Sequence, residues 1–185
     1  MKQESKKLAA PVSAEDHAWG PTEAPVTLVV YSDYQCPHCA QAWWAIKEIK
    51  ETLGDGLRVV YRHFPLSKIH PRAAAAAAAA LAAEAQGRFW EMHDVIMANQ
   101  TALGDEDLLG YAAQLGLDTA RFSRELADRT YARRVLDDQR SGVRSGVTGT
   151  PALFVNNRPY DGRWDDTVEL AKHLTAMVAL RAEPL

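Results

Sequence analysis

The chain has little cysteine, no long apolar run and no excess of charge of one sign, and each scarcity closes off a class of function. Only two of its 185 residues are cysteine, Cys36 and Cys39. It is therefore not a small secreted scaffold stapled by several disulfides, although two thiols leave the compartment open. The 21 basic and 24 acidic residues leave a net charge of -3, and no basic run interleaved with aromatics marks a nucleic-acid surface. The longest uninterrupted apolar stretch, Ala73 to Ala83, is eleven residues of mostly alanine, whereas a bilayer-spanning helix needs about 20. Lys2, Lys6 and Lys7 are not followed by an apolar segment, so the start as written is not a secretory signal. The expectation is a cytoplasmic chain as written, or an extracytoplasmic one if a signal has been removed.

What is present suffices for one domain, or one domain with an insertion, because 47% hydrophobic residues can build a core at this length. Residues 1–20 are polar and read as a loose, flexible tail ahead of a domain over 21–185. Val26 to Tyr31 is a continuous apolar, β-branched run whose lack of alternation predicts a central strand buried on both faces. From Cys36 the apolar residues Ala40, Trp43, Trp44, Ile46, Ile49 and Leu53 recur at helical spacing until Gly54-Asp55-Gly56. Leu57 to Phe64 reads as a second strand, ended by Pro65.

Residues 68–146 hold no convincing strand and five helix-like segments: the alanine run to Gln86, then Arg88 to Gln100, Asp105 to Leu115, Asp118 to Leu126 and Tyr131 to Arg144. A strand over Pro151 to Val155, a turn at Asn156-Asn157 and a return strand over Arg158 to Tyr160 follow. The last element, Asp165 to Leu180, places Val168, Leu170, Ala171, Leu174, Met177 and Val178 along one face of an amphipathic helix.

The chemistry sits in Cys36-Pro37-His38-Cys39. A Cys-x-x-Cys pair opening a helix puts the first sulfur beside unpaired N–H groups and the positive end of the helix dipole, which favour thiolate over thiol. Residues three apart on a helical turn are also neighbours, so the pair can cycle between dithiol and disulfide. Cys-x-x-Cys is also half of a zinc site, but a second Cys/Cys or His/His pair is missing, and His17, His38, His63, His70, His93 and His173 lie scattered without ligand spacing. Trp43 and Trp44 can either line a groove or pack on the sheet. His93, Phe89 and Trp90 read as packing residues, and the alanine run as a close-packed helix.

Cys36-Pro37-His38-Cys39 and the distant run Gly146-Val147-Thr148-Gly149-Thr150-Pro151-Ala152-Leu153-Phe154-Val155-Asn156 together resemble the DsbA-like branch of the thioredoxin superfamily. The segments His70-Pro71 and Gly87 to Asp94 are similar to short bacterial DsbA-type proteins and to thioredoxin-like domains attached to antiporters. The resemblance implies an α/β thioredoxin fold with a helical insertion between an N-terminal strand–helix–strand unit and a C-terminal hairpin–helix unit. It implies a thiol-disulfide oxidoreductase, most readily a dithiol oxidase, with Cys36 as nucleophile, Cys39 as resolving thiol, and Pro37 and His38 tuning the redox poise. A cytoplasmic reductase or isomerase of the same fold, or a redox-sensing binding module, is the alternative.

Thr150 and a cis Pro151 are implied to lie beside Cys36 and to bind an extended substrate chain. No organic cofactor or metal is implied. The partners are thiol-containing proteins and a redox partner that regenerates the active site, with no nucleic acid and no membrane span. One departure stands out. The family often carries a buried Glu or Asp six residues before the first cysteine, and here that residue is Val30. Asp33 is the nearest carboxylate in sequence and reads as a solvated loop residue or a cap as readily as a base.

Overall fold

The computed structural model describes residues 7–182. β1 (His17–Trp19), β2 (Val26–Ser32), β3 (Leu57–His63), β4 (Ala152–Val155) and β5 (Arg158–Pro159) form one sheet in the order β1-β3-β2-β4-β5. β2 and β3 are parallel, and β1, β4 and β5 join antiparallel to their neighbours. β2 is thus central and hydrogen-bonded on both edges, as its unbroken apolar run requires. The return to β5 is a two-residue turn in which Asn156 and Asn157 take φ of 47° and 69°, a conformation asparagine tolerates better than most residues.

Helix α1 (Pro37–Leu53) connects β2 to β3, and its buried residues Ala42, Trp43, Ile46 and Ile49 face the sheet. Five helices then intervene before β4: α2 (Ala73–Glu84), α3 (Phe89–Ala98), α4 (Asp105–Gln114), α5 (Thr119–Ala127) and α6 (Ala132–Arg144). They fall within the span read as a helical insertion. Alanine side chains let α2 run buried through the centre of this group, against α3, α5 and α6. α7 (Thr167–Ala182) closes the chain against α1 and β2 through Leu170 and Leu174. Val168 does not join that face: it is 62% exposed, one position outside the arc that meets the sheet.

The two faces of the sheet are covered differently. Leu28, Val30, Val59, Tyr61, Leu153 and Val155 share a core with α1, the inserted helices and α7. Val29, Tyr31, Val60, Phe64 and Phe154 form a second, smaller cluster with Leu8. This second cluster corrects the expectation of a loose tail over 1–20. Residues 1–6 lie outside the described residues, but from Leu8 onward the segment packs on the sheet and enters it as β1. Arg62 holds it there. Its guanidinium donates to Asp16 through Nε and Nη2 (2.8 and 3.0 Å) and to the carbonyls of Ala10 and Pro11. The apolar content of the segment is too low to announce such packing; buried hydrogen bonds supply the rest.

Candidate thiol site

The site forms where β2 ends. Cys36 is the N-cap of α1 and Pro37 its first residue, where a missing N–H and a fixed φ cost nothing. Asp33, in the preceding loop, is buried rather than solvated. Its carboxylate accepts from the N–H groups of Gln35 and Leu66, each at 2.7 Å, and lies 2.9 Å from His70 Nδ1. Its backbone N–H points at Cys39 Sγ, 3.3 Å away. From the turn that follows α3, Gln100 Nε2 donates to the carbonyls of Tyr34 and Cys36 at 3.0 and 2.9 Å. No motif marks Gln100 in the sequence; only the docking of the insertion brings it here.

Thr150 and Pro151 are more than a hundred residues away in sequence and adjacent in space. The Thr150–Pro151 bond is cis, and Cys36 Sγ lies 3.5 Å from the Thr150 carbonyl oxygen. The Thr150 hydroxyl is buried without a hydrogen-bond partner. His38 is exposed and its ring meets Trp164 edge-on at 5.3 Å. Beside the loop runs a groove of about 900 Å³ lined by residues that include Gly149, Thr150, Pro151, Tyr160 and Trp164. Val30, at the position where an acid was expected, is buried between Tyr61 and Leu153 of the flanking strands. Trp43 is core: it stacks on Trp90 at 5.4 Å and its Nε1 donates to Asp94, while Trp44 is partly exposed.

Both cysteines are free thiols, and their environments push them apart. The Cys36 thiol is lowered to about 5, first by the hydrogen bond from the Cys39 thiol, then by the neighbouring Thr150 side chain and the backbone N–H groups of Cys39 and His38, against the effect of burial. Cys39 is raised, chiefly by burial and then by its hydrogen bond to Cys36. One sulfur is therefore a thiolate at neutral pH, the other a thiol that donates to it. The contribution of His38 to the sulfur comes through its backbone N–H, while its ring rests on Trp164.

The histidines are not all scattered in space. His93 is a buried packing residue whose Nδ1 meets Tyr34 Oη at 2.8 Å. His17 and His63, however, converge with Asp138 in a group that includes neither cysteine.

The thioredoxin family model matches residues 13–172. Over 178 residues the chain is 45% identical to a protein named Na(+)/H(+) antiporter NhaA 1 from Salinispora arenicola, covering 96% of this chain and 27% of that protein. A protein named Na(+)/H(+) antiporter NhaA from Herminiimonas arsenicoxydans is 43% identical over 159 residues, 85% of this chain and 25% of its own length. The chain thus spans about a quarter of these relatives. Among solved structures it is similar to a thioredoxin-like oxidoreductase from Silicibacter pomeroyi, with a TM-score of 0.75, 25% identity and coverage of 89% of this chain and 94% of that one. BdbD from Bacillus subtilis has the same fold at a TM-score of 0.77, with 20% identity and coverage of 94% and 99%. A Cys-x-x-Cys pair capping α1, a cis-proline loop facing it and a helical insertion within a five-stranded sheet agree with these matches: the chain belongs to the thioredoxin family.

Proposed function

We propose that the chain is a dithiol oxidase for protein substrates, with Cys36 as the attacked and nucleophilic sulfur, Cys39 as the resolving thiol, and Thr150 and Pro151 as the substrate-binding loop. The observation that carries this reading is the opposed acidity of the pair, Cys36 lowered to about 5 and Cys39 raised. Starting from the Cys36–Cys39 disulfide, a substrate thiolate attacks Cys36 Sγ. The Cys36–Cys39 bond breaks, and Cys39 leaves and takes up a proton. A second substrate thiolate then attacks the substrate sulfur of the mixed disulfide and expels Cys36 as a stable thiolate. The substrate is oxidised by two electrons and the pair reduced.

Stabilising that thiolate stabilises the reduced pair, which makes the disulfide the stronger oxidant; DsbA itself owes its oxidising potential to the same cause. Equilibration against graded glutathione ratios is expected to give a reduction potential of roughly -180 mV or higher, and a value near or below about -250 mV would overturn the oxidase reading in favour of a reductase.

A redox-sensing module is the second reading, favoured by the chain's likeness to a quarter of proteins named as Na(+)/H(+) antiporters. Replacing Cys39 with alanine separates the two. An enzyme accumulates substrate proteins as mixed disulfides on Cys36, visible on non-reducing gels, whereas a sensor traps few or none.

A further inference from the structure

Three buried side chains outside the thiol site converge from three elements. His17 lies opposite Tyr61 in the β1–β3 ladder, and His63 lies two residues beyond Tyr61 on the same face. Their ring centroids are 5.4 Å apart. α6 supplies Asp138, whose Oδ2 accepts from the backbone N–H of His63 at 3.1 Å. One potential ligand atom from each of the three residues lies within 4.8 Å of the others, and all three residues are buried.

The ring nitrogens make this more than proximity. Nε2 of His17 and Nε2 of His63 are buried without a hydrogen-bond partner, a costly state for two neighbouring imidazoles. On His17 the other nitrogen, Nδ1, is held by Glu84 Oε1 at 2.7 Å, which leaves Nε2 as the free one. The ring is also fixed by stacking on Phe89 at 3.9 Å. A carboxylate gripping the outer nitrogen of a ligating histidine is the usual support of a metal-bound imidazole. Arg134 Nε approaches Asp138 Oδ1 at 3.4 Å, and the same side chain also faces Glu15. Asp138 and Glu84 thus outweigh this one cation locally.

We propose that His17, His63 and Asp138 form a divalent transition-metal site, for zinc in the first place, with Glu84 as the outer carboxylate on His17 and the fourth position open to water. Two imidazoles and one carboxylate suit zinc and its borderline neighbours rather than calcium or magnesium, which prefer oxygen alone. Tetrahedral bonds of about 2.0 to 2.1 Å bring ligand atoms to roughly 3.3 Å from one another, so the three side chains close inward by small rotations on binding. The site uses neither cysteine and is independent of the redox reading above.

The test uses the full chain with both cysteines changed to serine, which removes thiol ligands. After treatment with a chelator, zinc is titrated against a chromophoric competitor, and cobalt(II) is added in a parallel experiment. The expected result is one equivalent bound, with visible cobalt bands of tetrahedral intensity and no sulfur charge-transfer band. His17→Gln and Asp138→Asn should each abolish stoichiometric binding. Glu84→Gln, at a side chain 44% exposed and therefore tolerant of change, should weaken it by about 10- to 100-fold. Absence of stoichiometric binding by the cysteine-free chain overturns the proposal. So does binding that survives both His17→Gln and Glu84→Gln unchanged, with circular dichroism reporting the folded fraction of each variant.

Discussion

Two sulfurs of one motif acquire opposite acidities because a single hydrogen bond and a difference in burial act on them with opposite sign. Cys36 accepts from Cys39 and from N–H groups at the start of α1, whereas Cys39 is enclosed behind it. The motif and the helix after it were legible in the sequence, since Cys36-Pro37-His38-Cys39 follows a strand-like run directly. Gln100 was not: a glutamine in the turn after a helix carries no local signal, and its two bonds to the Tyr34 and Cys36 carbonyls span 66 and 64 residues. Gln100→Ala leaves both carbonyls without that donor and is expected to lower stability by about 1 to 3 kcal/mol. It should also slow alkylation of the reduced protein at pH 6 by iodoacetamide, because a loosened helix start stabilises the Cys36 thiolate less. In the unaltered protein that rate should fall only as pH drops through about 5, since a thiol of lowered pKa stays ionised above that value and protonates below it. Asp33 belongs to the same scale. Burial and three partners make it an anchor for the loop, a role invisible from its place three residues before Cys36.

Among the elements, long periodic helices were legible and short pieces were not. Each inserted helix repeats apolar residues or alanine often enough to be recognised, whereas β1 is three residues long and has no period to detect. Its pairing with β3 depends on a partner already in place. How closely an element packs is equally hidden. Gly142 lies in α6 where a Cβ would come within 2.7 Å of Phe64 Cδ2 and 3.0 Å of Tyr31 Cδ1, so the helix rests on the sheet through a glycine. Gly142→Ala, which raises helix propensity, is nevertheless expected to lower stability by about 1 to 3 kcal/mol through overpacking, read as a lower midpoint in urea. A rise in the midpoint would mean that Phe64 moves aside freely.

At the scale of the whole molecule, the segment before β1 closes the second face of the sheet, and the Asp16–Arg62 pair fastens it. Both side chains are only 4% exposed. Burial raises the Asp16 carboxyl, but the hydrogen bonds from Arg62 and from the Ser13 backbone N–H, together with the charges of Arg62 and Arg134, outweigh it and hold the group below the ordinary range. Asp16→Asn leaves a buried guanidinium uncompensated and is expected to cost about 3 to 5 kcal/mol at neutral pH, measured by chemical denaturation. A carboxyl lowered by folding contributes stability above its unfolded value of about 3.9 and loses it as pH falls through the folded one. The gap between the two proteins should therefore narrow below about pH 4. By itself the sequence determined the order of the major strands and helices and the Cys36-Pro37-His38-Cys39 motif at the start of a helix, because strand runs, helical periods and short motifs are local properties of the chain; the place of the Thr150-Pro151 loop beside that motif was read from the family resemblance. Only the tertiary structure decided that residues 7–20 are part of the fold, that Asp33 and Gln100 support the thiols, and that His17, His63 and Asp138 meet. Those outcomes rest on contacts between residues dozens of positions apart, and on burial that no single segment can produce alone.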